Sequence, residues 1–158
     1  MATLTAARAA SAFPVFSPPH GSGIVCTAWG KYTLAANPTA ADIIEFCKVP
    51  AGATVLGGWL MGPDIDTGTE AFDMDIGWAA TADEIAAPDG FGNFGVLSGD
   101  VITELVPVAG IYRPLQGVLL TAGPKNFTAQ ATLIGTVNVA ANAGGTGVLT
   151  LCAFYTVP

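Results

Sequence analysis

An all-β fold is what this sequence predicts: a two-sheet antiparallel sandwich, of jelly-roll type, with an extended N-terminal arm. Three observations predict it. Its 20 glycines and 11 prolines fall as punctuation between short apolar runs, which is how turns separate strands. Several runs alternate apolar and polar residues with period two. No long stretch carries a helical period. Another Greek-key sandwich is the alternative, and the order and pairing of strands do not follow from the sequence.

Residues 1–22 form the arm and residues 23–158 the sandwich. Met1 to Ala12 is small and polar, and Phe13-Pro14-Val15-Phe16-Ser17-Pro18-Pro19 is extended by its prolines. A disordered tail is the plainer alternative. Against it, Phe13, Val15 and Phe16 are apolar enough to touch a partner, and removal of residues 1–19 should then leave the fold intact but weaken attachment to that partner. Eight strands follow, near 24–34, 42–49, 53–61, 70–80, 100–108, 114–121, 127–140 and 147–157.

The pattern is clearest from Glu70 to Ala80. There Phe72, Met74, Ile76 and Trp78 alternate with Asp73, Asp75 and Gly77, giving one apolar and one solvated face. Residues 128–139 do the same: Ala129, Ala131, Leu133, Val137 and Val139 oppose Thr128, Gln130, Thr132, Thr136 and Asn138. The last strand loads both faces through Val148, Leu149, Leu151, Cys152, Phe154 and Tyr155, so it should be covered on both sides. Pro50-Ala51-Gly52 predicts a turn closed by a left-handed glycine, and Gly144-Gly145 a reversal into the final strand. Thr81-Ala82-Asp83-Glu84 could cap one helical turn. The rest of 81–99 reads as a link, including the loop Gly90-Phe91-Gly92-Asn93-Phe94-Gly95.

Charged residues make up 11% of the chain and hydrophobic ones 51%, with mean hydropathy +0.55. That is too little charge for a fully exposed surface, so part of the exterior should be covered. A membrane is not the expected cover. The uncharged stretch 126–158 is laced with Thr, Asn and Gln and broken at Ala143-Gly144-Gly145-Thr146-Gly147. No basic start followed by an apolar run marks a secretory signal. Protein partners remain. Net charge is −7, and the five basic residues are scattered, so nucleic acid is not an expected partner. Cys26, Cys47 and Cys152 lie in apolar runs without a C-x-x-C, as free thiols in a reducing cytoplasm would, although the spacing leaves one bridged pair open.

No catalytic, cofactor-binding or metal-ligating set emerges. His20 is the single histidine and lies in the arm. There is no G-x-S-x-G, P-loop or dinucleotide fingerprint. Eight of the twelve acids gather between Asp64 and Asp89. Asp64-Ile65-Asp66-Thr67-Gly68-Thr69-Glu70 looks like part of a calcium loop but is too short for one and lacks its closing Glu. An acidic hairpin tip is the simpler reading; a paired-carboxylate glycosidase site is the weakest. Trp29, Tyr32, Tyr112 and Tyr155 could stack a sugar ring, as in a glycan-binding jelly-roll module, or equally lie in a core or interface.

The run Ile44-Glu45-Phe46-Cys47-Lys48-Val49-Pro50-Ala51-Gly52-Ala53-Thr54-Val55-Leu56-Gly57-Gly58-Trp59-Leu60, then Phe72-Asp73-Met74-Asp75-Ile76-Gly77 and the terminal Phe154-Tyr155-Thr156-Val157, resembles small structural proteins of tailed bacteriophages. The resemblance covers residues 24–158 loosely, and its V-P-A-G-A core is mainly turn chemistry. It implies a capsid decoration (cement) protein without enzymatic activity or cofactor. Such a protein would form a homotrimer, bind the major capsid protein at the virion surface and be made in the host cytoplasm. Phe13, Val15, Phe16 and Tyr155 are the expected capsid or subunit contacts.

Overall fold

The computed structural model describes residues 2–11, 24–97 and 110–157. Within them the chain runs β1 (Thr3–Thr5), β2 (Cys26–Leu34), β3 (Ile43–Val49), β4 (Thr54–Pro63), β5 (Asp73–Trp78), β6 (Ala87–Gly92), β7 (Gly110–Pro114), α1 (Val118–Thr121), β8 (Lys125–Asn126), β9 (Ala131–Val139) and β10 (Gly147–Thr156).

Two sheets form the expected sandwich. Sheet A has the order β1-β3-β9-β5-β6 and sheet B the order β2-β10-β4-β7, with β8 paired to the start of β4. All pairings are antiparallel except that of β1, which lies parallel to β3. From β2 to β5 each strand passes to the opposite sheet, and β9 and β10 then enter the middle of A and B. Inward side chains fill the space between. Phe46, Phe72, Phe91 and Phe127 are the largest fully buried ones, with Leu60, Met74, Leu133, Leu149 and Leu151 around them.

Local chemistry accounts for the irregularities. Ile44, Phe46, Cys47 and Val49 are all buried, which strict alternation forbids. A bulge between Glu45 and Cys47 resets the register, so that Glu45 and Lys48, three residues apart, both leave the core. Gly52 closes the turn after β3 at φ 79°, with Ala53 N–H bonding the Pro50 carbonyl, as the sequence indicates. At Gly145, φ is 74° and its N–H reaches the Ile65 carbonyl, beginning the reversal into β10.

Several expectations change. Residues 2–11 add to the sandwich rather than standing away from it. β1 extends sheet A, Ala6 and Ala9 are each 2% exposed, and Asp42 accepts the Ala2 N–H at 3.1 Å. Removing 1–19 would therefore strip an edge strand. Residues 12–23, with Phe13, Val15, Phe16 and His20, and the strand expected at 100–108 lie outside the described residues. The strand expected at 114–121 is displaced: β7 ends at Pro114, Gly117 turns the chain at φ 57°, and 118–121 wind into one helical turn. The run 127–140 splits, because Phe127 still bonds Ala53 in sheet B before the chain crosses to β9 in sheet A.

The link 81–99 contains β6, whose Pro88 and interspersed glycines hide a strand that only an edge position tolerates. At the other end of that link, Thr81 Oγ1 accepts the N–H groups of Asp83 and Glu84, making a capped turn without a helix.

Candidate interaction surface

The outward face of sheet B is assembled by register. Trp29, Cys152, Trp59 and Pro114 stand in one row across β2, β10, β4 and β7. The next row holds Lys31, Thr150, Met61 and Tyr112, and on the other side Phe154 sits between Thr27 and Gly57. The rings support one another: Phe154 meets Trp59 edge-on with centroids 5.0 Å apart, and Tyr112 lies tilted at 6.4 Å on its other side. Arg8 reaches over the Trp29 ring, its guanidinium carbon 4.4 Å from the centroid. Trp29 is 41% exposed, Met61 38% and Val148 40%.

The four strands carry Lys31 and Arg113 but no Asp or Glu, in a chain with twelve acids. The face is apolar and aromatic across the sheet, a composition enriched at protein contacts. The doubly apolar β10 was the sequence signal for it. Trp59 and Met61, however, gave no sign of facing outward until the register was known.

The expected site residues fall differently. Trp29 and Tyr112 share the outer face, whereas Tyr32 points inward, half-buried. Tyr155 is 4% exposed and belongs to the core, where burial first, then the Cys26 and Cys47 thiols, raise its pKa. The three cysteines are free, and burial pushes the Cys47 thiol up to about 12, far from reactivity.

The acidic stretch resolves into two arrangements. Asp66, 1% exposed, is a structural pin: its carboxylate accepts the N–H groups of Ala71 and Asn142 at 2.8 Å, Ala143 at 3.0 Å, Phe72 at 3.2 Å and Gly68 at 3.4 Å. That ties the loop before β5 to the β9–β10 connection and uses the oxygens a cation would need. Among the described residues, no group of three or more His, Cys, Asp or Glu could hold a metal ion.

Burial works to raise the pKa of Asp66, but the N–H groups of Asn142, Ala143, Ala71 and Gly68 outweigh it and hold it at about 2. A depressed folded-state pKa gives stability that is complete above the unfolded value of 3.8 and is lost as pH falls toward 2. The melting temperature should therefore fall more steeply between pH 4 and pH 2 in the native protein than in Asp66→Asn. Equal slopes would show that the pin does not carry acid sensitivity.

Asp75, expected on a solvated face, is 7% exposed, and at the next outward position of the strand, Gly77, the backbone of Ala87 and Pro88 lies against the outer side. Burial first, then repulsion from Asp73 and Asp89, raises its pKa against the opposing hydrogen bond from Asn138.

No family model matches the sequence, and no curated protein matches it. Solved structures do. The chain is similar to one in the capsid of Ralstonia phage GP4, with TM-score 0.72 and 21% identity, covering 99% of this chain and 98% of that one. The chain has the fold of chains found in phage capsids. A chain of the cyanophage Pam1 capsid asymmetric unit gives TM-score 0.65 at 21% identity, with coverage of 96% and 99%. One from the acidic stable capsid structure of Helicobacter pylori bacteriophage KHP30 gives 0.57 at 13% identity, with 87% and 91% covered.

Proposed function

We propose that the chain is a virion structural protein: a jelly-roll decoration (cement) protein that forms a trimer and binds the major capsid protein on the phage head surface. The observation that carries this reading is the acid-free aromatic outer face of sheet B. It lies on a fold that capsid chains of the same size share nearly end to end. The jelly-roll assignment is supported by the order β2-β10-β4-β7 against β3-β9-β5-β6, which interleaves two Greek keys. A lattice component works through area and shape complementarity, and neither Asp66 nor Cys47 is tuned for chemistry.

A glycan-binding module is the second reading, favoured by Trp29, Trp59 and Tyr112 sharing one face. Against it, that face has no carboxylate on its strands to fix sugar hydroxyls.

Heads prepared without this chain provide the test. The purified protein should co-sediment with them and raise their melting temperature. Trp29→Ala or Trp59→Ala should weaken attachment roughly 30-fold, the effect of losing a ~2 kcal/mol interfacial anchor, while the variants still fold by circular dichroism. Failure of the native protein to sediment with heads, combined with saturable binding on a glycan array, would replace this reading with the second.

A further inference from the structure

We infer that the protein surface seated on the outer face of sheet B is apolar at its centre and carries a carboxylate at the rim opposite Lys31. This rests on the lattice binding proposed above and states the chemistry of the surface that the chain recognises.

Lys31 stands on β2, two residues along from Trp29 and on the same outward side. Thr150 lies beside it and Met61 beyond, in one row across the sheet. Trp29, Met61 and Val148 are exposed around it, and Lys31 is itself exposed. A surface that covers Trp29 and Met61 therefore brings its edge against the Lys31 ammonium and strips part of its water. An ammonium so placed needs a counter-charge. None of the four strands of sheet B carries Asp or Glu, and among the described residues Lys31 makes no ion pair. The counter-charge has to come from the partner.

The charge of the whole chain points the same way. At net charge −7, most of its surface repels an acidic partner. Along β2 the sign reverses, because Arg8 stacks over Trp29 and adds a second positive charge to that rim. The opposite rim, on β7, turns Tyr112 and Pro114 outward, while Arg113 is in register with the buried Leu60. A face that is positive along one rim fixes the orientation of its partner as well as the rate of encounter.

Size decides how much the charge matters. Strands of nine, ten, ten and five residues, spaced about 4.8 Å apart, cover on the order of 500 Å². That is short of the ~800 Å² per partner of a standard interface. Such a contact needs its aromatic anchors and its charge pair together. Because β2 is an edge strand of sheet B, the pair lies where salt screens it.

Sedimentation of the full chain with heads prepared without it, at about 50 and 500 mM NaCl, tests this. Native attachment should weaken about fivefold between the two salts, the effect of one rim ion pair. Lys31→Gln should weaken attachment about fivefold at the lower salt and lose most of the salt dependence. Lys31→Glu differs from it only in charge; it should bind at least about twentyfold more weakly than native and recover as salt rises. Native attachment indifferent to salt overturns the inference, as does either Lys31 variant binding like native. Trp59→Ala keeps the two readings apart. If it detaches the protein while both Lys31 variants stay bound, the face docks on the lattice but meets no carboxylate there. A native protein that fails to sediment with heads at either salt overturns lattice binding, and this inference with it.

Discussion

Phe127→Ala is expected to lower the free energy of unfolding by about 3–5 kcal/mol, a fall of roughly 10–15 °C in melting temperature for a chain of this length. Phe127 is 0% exposed and sits where the chain crosses from sheet B to sheet A. Its ring meets Trp78 edge-on at 5.4 Å and Phe91 at 6.4 Å, and the Lys125 ammonium, itself paired with Glu84, lies 5.2 Å from its centroid. Such edge-on pairs add about 0.5–1.5 kcal/mol beyond the buried area.

The site has little freedom to collapse. Phe127 N–H bonds the Ala53 carbonyl, and its own carbonyl takes the Gly52 N–H, both at 2.8 Å, so the backbone holds the cavity open. Leu120, 75% exposed on the single helical turn, is the matched control, and Leu120→Ala should change stability by no more than about 0.5 kcal/mol. Urea denaturation at one fixed protein concentration measures both, because self-association would otherwise shift the apparent stability. A Phe127→Ala loss below about 1.5 kcal/mol would mean that the aromatic cluster does not bridge the two sheets.

Much of this core was readable in advance, and the reasons for success and failure are physical. Met74, Ile76 and Trp78 were placed inward from alternation alone, because one face of β5 packs on the core and period two survives. Gly52 was placed from turn chemistry, which is local. Failures arose where non-local packing overrode a local signal. The apolar run after Pro114 suits a strand or a buried helix equally, and what decides between them is Gly117, whose carbon lies so close to Gly90 that a side chain there would strike its carbonyl. Asp75 looked solvated because the sequence does not show that β6 folds back beside it. The apolar outer face of sheet B was half legible, through the apolar residues on both sides of β10. Its alignment with Trp29 on one side and Trp59 on the other is a product of strand register, which no stretch of sequence encodes by itself.

The same distinction between local and non-local constraint governs the second large effect, expected at Gly30. Gly30→Ala should cost at least about 3 kcal/mol, the upper end of ordinary overpacking, and native protein should be hard to recover. A Cβ at Gly30 would stand 1.9 Å from the Phe46 carbonyl oxygen and 2.7 Å from its carbon. Both are backbone atoms at the β3 bulge, whose flanking residues are held in register with β9, so no side chain can rotate away. The two sheets would have to separate along the edge where β2 meets β3. Gly57, on the outer face of the same sheet, has nothing within 4 Å of its added Cβ. Gly57→Ala should therefore leave stability within about 0.5 kcal/mol of native. Thermal unfolding of the two variants side by side separates the explanations. Comparable losses would point to a general intolerance of side chains at strand glycines, whereas a loss confined to Gly30 places the constraint in the direct backbone contact between β2 and β3.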